Sequence, residues 1–411
     1  MLIILTMIIE RPGETKMLAE TKKWCFIYGR RKTGKSYLAE NFASYDDYFF
    51  VKRDRTIISK KDNRTIGYEA FLEVLSRDLA DGKTVVVDEF HRLGEDFFDM
   101  LHAARKEGKL ILISSTLFLS KRLLGGKSPL LGFFTEVPVR LIYLEDILHR
   151  LAAYGMDKRH LVELAILLRE PIAIDYFDEK AAPREIFAKI VHGSIQTIPA
   201  LVGEIFSEEE RGMSAIYEAI LRSIASGKAL SGEISSYLFS RKLIAKDDPS
   251  VIQQYLKNLV EFGIVRKIAV YNKNRFVYRH SSPLLRLFYY ADEKYNISER
   301  VLSDAEILRI IDELMPRIVE DDIREFMALK AGLTEAIIET EGYDIDACLI
   351  RFKKPEVAVE IKWKKVDGAD LARAEKILAE ISAKERILFV PDKKEVRTKT
   401  TLKVVDISDF I

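Results

Sequence analysis

The chain has 411 residues, of which 48% are hydrophobic and 31% are charged, and its formal net charge is +1. This composition is typical of a soluble globular protein of two or three domains, and it excludes an intrinsically disordered chain. The near-neutral charge also excludes a uniformly basic surface. Any contact with nucleic acid must therefore come from a local basic patch.

Cysteine content and the N-terminus bear on the compartment. Cys25 and Cys348 are too few for a disulfide framework, which indicates a reducing, intracellular setting. The apolar start, MLIILTMIIE, lacks a basic region and a cleavage site and is too short to span a bilayer. We therefore expect a cytoplasmic protein. Scarce glutamine beside abundant lysine and glutamate is typical of thermophiles.

Residues 1–144 alternate apolar runs with amphipathic segments, which predicts an α/β domain with a parallel sheet covered by helices. The predicted strands cover residues 24–29, 47–52, 84–89, 109–115 and 139–144. Helical periodicity fills the intervals, as in SYLAENFA and YEAFLEVLSRDLA.

Three further segments follow. Residues 145–212 show short helical patterns separated by Gly and Pro, with IPALVGEIF as the last, and predict a helical lid. Residues 213–300 show three helices and then two alternating strands around Asn-Lys-Asn, the outline of a winged helix-turn-helix. Residues 301–411 predict a further α/β domain of helices and strands.

The stretch GRRKTGKS, from Gly29 to Ser36, fits the P-loop pattern and stands between a predicted strand and a predicted helix. Its glycines allow successive backbone N–H groups to surround a phosphate, its lysine adds a cation, and its serine supplies a hydroxyl to Mg²⁺. A glycine-rich turn without a ligand is the competing interpretation. The predicted ATP-binding residues are Gly29, Arg30, Arg31, Lys32, Thr33, Gly34, Lys35, Ser36 and Tyr37.

Two downstream strand ends complete this predicted site. In VVVDEF, Asp88 can hold the Mg²⁺ shell together with Ser36, and Glu89 can orient or deprotonate the attacking water. In LILISS, Ser115 (beside Ser114) can sense the γ-phosphate from an adjacent strand. Each motif alone is also a common way for a strand to end.

The stretch YDIDACLIRFKKPEVAVEIKWKK carries charges within two otherwise apolar strands. Alternation can place Asp346, Glu360 and Lys362 on one face, provided that the connecting loop holds an odd number of residues or a bulge. Two carboxylates and a lysine suit a metal-dependent nuclease. The same charges also suit the solvated face of an ordinary sheet.

The motifs resemble those of a family, the archaeal P-loop ATPases of the AAA+-related STAND class, which often carry a fused C-terminal domain. IYGRRKTGKS, VVVDEF and LILISST resemble its nucleotide motifs, and YLKNLVEFGIV and YRHSSPLLRLFYY its winged-helix and post-wing blocks. Arg11, Glu14 and Leu18 echo an N-terminal block, whereas Phe133 replaces a usual arginine. The resemblance implies a slowly hydrolysing Mg·ATP switch coupled to a DNA-binding or effector module.

The C-terminal segment is similar to the PD-(D/E)xK nuclease fold. The resemblance implies that Asp346, Glu360 and, from a preceding helix, Glu320 hold a metal ion. Lys362 would then stabilise the developing phosphate charge or position the water. Such a domain can cleave nucleic acid, or it can persist as a binding platform.

The third predicted helix of the winged segment offers polar side chains for DNA, and the strand pair offers basic ones. The predicted DNA-binding residues are Gln253, Gln254, Lys257 and Arg275. Docking of a protein partner is the competing interpretation, and oligomerisation stays open. Two functions therefore remain: an ATPase that acts on or regulates DNA, and a nucleotide-gated regulatory switch without nuclease activity.

Overall fold

The computed structural model describes residues 7–104, 107–115, 130–193, 195, 197–198, 211–300 and 302–411, with backbone only at 211–214. These residues form two compact units. The first covers the described residues of Glu10–Arg140, and the second covers residues 7–9 and the described residues from Leu141 onwards. Most of the predicted helix IPALVGEIF lies outside the described residues.

The first unit is built on a seven-stranded sheet in the order β4-β3-β2-β5-β6-β1-β7. Strands β2, β5, β6, β1 and β7 are parallel, whereas β3 is antiparallel to β2 and β4 is antiparallel to β3. The bounds are β1 Trp24–Tyr28, β2 Asp47–Val51, β3 Ile57–Ser59, β4 Arg64–Ile66, β5 Thr84–Asp88, β6 Lys109–Ser114 and β7 Phe134–Pro138.

Helices cover both faces of this sheet, as the alternation of apolar runs and amphipathic segments predicts. They are α1 Pro12–Glu20, α2 Lys35–Phe42, α3 Tyr68–Ala80 and α4 Glu95–Ala103, with a 3₁₀ turn at Phe90–Arg92. Successive β1 residues alternate between the two faces, so that Trp24 and Phe26 join one buried cluster and Cys25 and Ile27 join the other. The central strands are therefore buried on both sides.

The predicted strand at 139–144 is wrong, because the structure pairs the preceding residues, β7 Phe134–Pro138, with β1. Val139 is buried although it lies beyond the strand, and its N–H donates to the carbonyl of Tyr28 at 2.7 Å. Its hydrophobicity reflects burial rather than strand pairing. The other four predicted strands of this unit are confirmed as β1, β2, β5 and β6.

The second unit contains a helical stretch, a three-helix segment and three further helices, the longest of which has 28 residues. Its helices are α5 Leu144–Ala152, α6 Lys158–Leu168, α7 Pro183–Gly193, α8 Arg211–Ala225, α9 Ser231–Ser240, α10 Pro249–Glu261, α11 Pro283–Tyr295, α12 Asp304–Ala331 and α13 Gly368–Ala379. Short 3₁₀ turns cover Pro171–Tyr176, Lys393–Glu395 and Ile407–Asp409. None of the helices in the described ranges is both long and apolar enough to cross a lipid bilayer.

A second seven-stranded sheet, in the order β14-β13-β12-β11-β10-β8-β9, runs through this unit. The bounds are β8 Val265–Val270, β9 Phe276–His280, β10 Thr334–Glu339, β11 Asp344–Arg351, β12 Lys354–Ile361, β13 Glu385–Phe389 and β14 Lys403–Val405. The β8–β9 hairpin predicted as a wing thus shares one sheet with the C-terminal strands. The pairing of β8 with β10 is parallel, with Ala269 opposite Ala336. The predicted limits at residues 213 and 301 stay predictions.

Helix α12 carries much of the second unit's buried charge. It starts at a capping box of Ser303 and Glu306 and stops at Gly332, whose φ of 61° ends it in the left-handed region. Asp322, buried on this helix, pairs with the equally buried Arg169, which follows α6. This pair joins the helical stretch to α12.

Candidate functional site

The P-loop of the first unit depends on a glycine at its first position. Gly29 has a φ of 154°, and a Cβ atom there would lie 2.1 Å from the carbonyl oxygen of Val139. No larger residue fits without moving the backbone. Gly34, with a φ of 88°, turns the chain into α2. Gly29 is therefore required because the backbone passes close to Val139, and Gly34 because the chain enters α2 in a left-handed conformation.

Lys35 lies at the base of the loop with its ammonium group inside the loop's curve. Its exposed fraction is 6%, and its Nζ donates to the carbonyl oxygen of Arg30 at 2.8 Å. The Thr33 hydroxyl donates to the same oxygen at 2.9 Å. Burial lowers the pKa of Lys35 to about 8, although the carboxylates of Glu89 and Asp88 raise it in part.

Arg11, near the N-terminus, donates hydrogen bonds to backbone carbonyls of the P-loop and of the residue after Val139. Arg11 is 5% exposed, and its guanidinium donates to the carbonyl oxygens of Thr33 at 2.8 Å and Arg140 at 3.0 Å. Glu14 pairs with it at 3.2 Å, and Leu18 packs into the core. The sequence motif singled out these three residues, but only the fold shows that they brace the phosphate loop.

Asp88, at the end of β5, accepts hydrogen bonds on both carboxylate oxygens. Oδ2 accepts from the Ser36 hydroxyl at 2.7 Å and the Tyr48 hydroxyl at 2.8 Å, while Oδ1 accepts from the Glu89 N–H at 2.8 Å. Burial raises the pKa of Asp88 in spite of these bonds. The contact of Tyr48, on neighbouring β2, was not predicted. Its local sequence does not distinguish a tyrosine that donates a hydrogen bond to the site from one that only packs in the core.

Glu89 adopts the left-handed conformation with a φ of 57°, which directs its side chain away from the strand axis. Its carboxylate lies 3.0 Å from Arg92 and 3.4 Å from His91, and it accepts a bond of 3.3 Å from Ser115. Because β6 lies between β1 and β5, the serines at its end stand between the P-loop strand and Glu89. Ser114 contacts the Nδ1 atom of His91 at 3.3 Å.

His91 and Arg92 are site residues that sequence reasoning missed. Burial, followed by the nearby Arg92 and Arg31 charges, lowers the pKa of His91 to about 4, so this ring is neutral at pH 7. A pattern Asp-Glu-Phe-His-Arg directly after a buried strand could have drawn attention to them. The remaining predicted loop residues divide into the buried Arg30 and Thr33, the half-buried Arg31, and the exposed Lys32 and Tyr37.

Phe133 occupies the place where the resembled family carries an arginine. Its ring stacks on His102 at 6.2 Å and meets Trp24 edge-on at 6.3 Å. The position is therefore part of the aromatic packing of the first unit.

A second cluster lies in the C-terminal sheet, where a β-bulge brings the predicted carboxylates opposite each other. The register of β11 and β12 shifts between Leu349 and Ile350, so that no residue of β11 lies directly opposite Glu356. Counting from Ala347, which faces Val359, this shift places Asp346 opposite Glu360. A bulge is what the sequence required for these two faces to coincide.

The side chains of this cluster are held by backbone and lysine contacts. Asp346 Oδ2 accepts from the N–H of Ile361 at 2.8 Å, and Lys362 forms an ion pair with Oε1 of Glu360. The other oxygen of Glu360, Oε2, is buried and has no hydrogen-bond partner among the described residues. That atom is an unsatisfied acceptor in a buried setting, which is costly unless a cation or water reaches it.

Burial raises the pKa values of the three carboxyls of this cluster, and the Asp346 charge adds to the effect at Glu320 and Glu360. Burial and the Asp346 charge raise the pKa of Glu320, on α12, to about 8, and burial raises the pKa of Asp346. Burial and then Asp346 raise the pKa of Glu360. In the described residues, however, no set of three or more His, Cys, Asp or Glu side chains is arranged to hold a metal ion. The metal site stays a prediction.

A cavity of about 560 Å³ adjoins Glu320 and Asp346 within the second unit. Four arginines line it, three of them grouped around the buried carboxylate of Asp321. The arginines are Arg279, Arg286, Arg317 and Arg324. The turn Ser226–Lys228 after α8 also lines it. The cavity therefore combines elements of the predicted winged and nuclease-like segments.

The predicted DNA-binding residues fall into two groups. Gln253, Gln254 and Lys257 are exposed on α10, where Lys257 lies 3.9 Å from Glu261. Arg275, near the tip of the β8–β9 hairpin, pairs with Glu339 of β10 at 3.0 Å. Glu339 of β10 thus partly neutralises the hairpin's positive charge. The three predicted residues of α10 are exposed to solvent.

Among comparisons with known proteins, a family match lies within the first unit, and similar solved structures cover more of the chain. Residues 21–132 match the AAA domain family. No curated protein matches the chain. The solved structure of the Walker-type ATPase PABY2304 of Pyrococcus abyssi is similar in fold, with a TM-score of 0.50 at 18% identity, covering 69% of this chain and 96% of that chain.

Two structures from Aeropyrum pernix overlap less well. For the ORC2 protein with ADPNP and ADP, the TM-score is 0.39 at 16% identity, covering 77% of this chain and 95% of that one. For the ORC1 protein with DNA, the TM-score is 0.31 at 14% identity, covering 72% and 95%. The matched family, the parallel sheet and the geometry of Gly29–Ser36 agree, and residues 21–132 are therefore an AAA-family P-loop domain.

Proposed function

We propose that the first unit binds Mg·ATP and hydrolyses it. The contact of 2.7 Å between the Ser36 hydroxyl and Oδ2 of Asp88 carries the proposal, because it joins the serine of the loop to the carboxylate of β5. These are the two side chains that hold Mg²⁺ in P-loop enzymes. Oxygen donors of this kind suit a hard divalent cation, so the residues present fit the ion.

Lys35 and Glu89 then have separate tasks. Lys35 would exchange the Arg30 carbonyl for the terminal phosphates, gaining a stronger, charge-assisted bond. Glu89, held by Ser115 and Arg92, would orient the attacking water or take its proton. Bound Mg²⁺ would supply charge neutralisation at the β and γ phosphates.

The experiment separates binding from turnover. We expect Lys35→Ala to abolish binding of Mg·ATP, because it deletes the buried cation, while Lys22→Ala, at an exposed lysine of the same unit outside the loop, serves as the matched control. Glu89→Gln should retain binding and lose turnover, measured by titration and by phosphate release. Wild-type turnover in Glu89→Gln would refute the role given to that residue.

A second proposed function concerns the C-terminal cluster, and the buried, unsatisfied Oε2 of Glu360 favours it. We propose that Asp346 and Glu360, with Glu320, take up a divalent cation beside the arginine-lined cavity, which would accept the phosphates of nucleic acid. Lys362 would move from Glu360 to the substrate. The domain would then cleave DNA, or bind it without cleavage as a nucleotide-gated switch.

Mn²⁺ distinguishes these outcomes. We expect Mn²⁺ to raise the melting temperature of the wild type and not of Glu360→Gln, whereas Glu356→Gln, at the bulge, should behave as wild type. Cleavage of single- or double-stranded DNA that is lost in Glu360→Gln would assign a nuclease. Stabilisation without cleavage would assign the regulatory role. Identical melting in all three proteins would refute the metal site.

DNA is the proposed partner of the exposed α10 face, which carries Gln253, Gln254 and Lys257. Together with the first proposal, this makes the chain an ATPase that acts on or regulates DNA. Binding that does not change with salt, or no binding to a panel of duplexes, would favour a protein partner instead.

A further inference from the structure

The turn that joins β11 to β12 has an unusual sequence for its shape. Arg351 pairs with Lys354, so the turn has only two central residues, Phe352 and Lys353. Their φ angles are 49° and 65°, the left-handed pair that defines a tight hairpin turn of type I′. Asn-Gly or Asp-Gly normally occupies these positions, since a bulky side chain is strained there. An aromatic residue at this point works against the turn.

The ring gains nothing from packing that would offset this strain. Phe352 is 93% exposed, while the next most exposed large hydrophobic residue in the described chain is Leu329 at 57%. No aromatic or cation–π contact involves Phe352 in the described residues. The ring therefore stands in solvent at the tip of the β11–β12 hairpin.

The residues beside the ring are basic. Arg351, Lys353 and Lys354 are all exposed, and no ion pair engages their side chains within the described residues. This contrasts with the β8–β9 hairpin, where Arg275 pairs with Glu339. Four consecutive exposed residues thus present one aromatic ring and three uncompensated positive charges.

We propose that this hairpin tip, residues 351–354, binds single-stranded nucleic acid. An unpaired base stacks on the ring of Phe352, and Arg351, Lys353 and Lys354 contact the flanking phosphates. An aromatic face combined with cations is the chemistry that binds unpaired bases without sequence preference. A membrane surface fits less well, because interfacial binding needs a wider apolar face and the half-buried Ile350 and Pro355 do not supply one. The proposal depends neither on the P-loop nor on the carboxylate cluster.

Phe352→Asn is the decisive variant, because asparagine is tolerated in the left-handed region. We expect it to leave the midpoint of urea unfolding unchanged or to raise it. Its affinity for a fluorescent oligothymidylate should nevertheless fall by about 5- to 150-fold, the loss typical of one stacked base. Affinity for the matching duplex should stay as in the wild type. Leu329→Asn, which removes an exposed apolar side chain elsewhere in the same unit, is the control and should change neither affinity.

The lysines should give a different signature. Replacing Lys353 and Lys354 by alanine should reduce the slope of log affinity against log salt by about 0.7 for each phosphate that the variant no longer neutralises, while Phe352→Asn leaves that slope unchanged. In Phe352→Trp, the oligonucleotide should quench the fluorescence of the introduced indole. The two native tryptophans, Trp24 and Trp363, are each 5% exposed and provide a constant background.

Unchanged affinity for the single strand in Phe352→Asn would overturn the proposal. An equal loss for duplex and single strand would overturn the assignment to unpaired bases. Loss of binding to phosphatidylserine vesicles, with oligonucleotide binding intact, would assign the tip to membranes instead. Loss of single-strand binding in Lys257→Glu but not in Phe352→Asn would place that activity on α10, so the test is distinct from that of the proposed function.

Discussion

Raising the pH from about 7 to about 9 should weaken nucleotide binding through a single side chain. Burial lowers the pKa of Lys35 to about 8. The protonated share of this lysine in the free protein then falls from about 0.9 to about 0.1 over that interval. If only the ammonium form contacts the phosphates, the apparent Kd for ADP rises about tenfold, which corresponds to about 1.4 kcal/mol.

Isothermal titration with ADP at several pH values measures this effect. At about pH 8 binding should also take up about half a proton, because the bound phosphate restores the ammonium form. Comparing buffers of different ionisation enthalpy reveals that uptake. The pKa values of His91, about 4, and Tyr28, about 12, keep both groups from titrating in this interval.

Two control variants identify the titrating group. Lys22→Ala, at an exposed position outside the loop, should retain the tenfold change. Glu320→Gln removes the carboxyl of the second unit whose pKa is about 8, and it should also retain the change. An affinity that stays constant between about pH 7 and 9, with no proton uptake, would refute the depressed pKa or the phosphate contact of Lys35.

The remaining predictions concern the loop, the buried charges and DNA. Gly29→Ala should lower the melting temperature and abolish ADP binding, because its methyl group collides with a backbone carbonyl; normal binding would contradict this close approach. Arg169→Met should cost about 3–5 kcal/mol in urea unfolding by leaving buried Asp322 without its partner, and a loss below about 1 kcal/mol would contradict that reasoning. Lys257→Ala should reduce the salt slope of DNA binding by about 0.9, because its contact with Glu261 is long at 3.9 Å, and Arg275→Ala should reduce it by less, because Arg275 pairs with Glu339 at 3.0 Å; equal reductions would argue against this difference in pairing.

Local patterns predicted the parts of the fold that depend on neighbours in sequence. The β5 strand and its Asp88-Glu89 end follow from an apolar run, and helix α3 follows from its periodicity over Tyr68–Ala80. The contact of Tyr48 with Asp88 could not be predicted in this way. It depends on β2 lying beside β5, and strand order is not encoded in the pattern of either strand.

The C-terminal half shows the same division. Alternation placed Asp346 and Glu360 on matching faces only if the connecting loop held an odd number of residues or a bulge occurred, and the structure has a bulge. The tight turn at Phe352 was not predicted, because its sequence lacks the Asn-Gly signal that marks such turns. Nor could the pairing of Ala269 with Ala336 be inferred, since those residues lie far apart along the chain.

The parallel pairing of β8 with β10 has a consequence for evolution and for protein engineering. Many multidomain proteins gain and lose independently folding domains that are joined by flexible linkers. Here, cutting the chain after α11 would strip β8 of its neighbour and leave an open strand edge, bordered by the buried Val270 and Ile268, available to another chain. The β8–β9 hairpin with its preceding helices, and the strands β10–β14, must therefore be inherited, exchanged or deleted together.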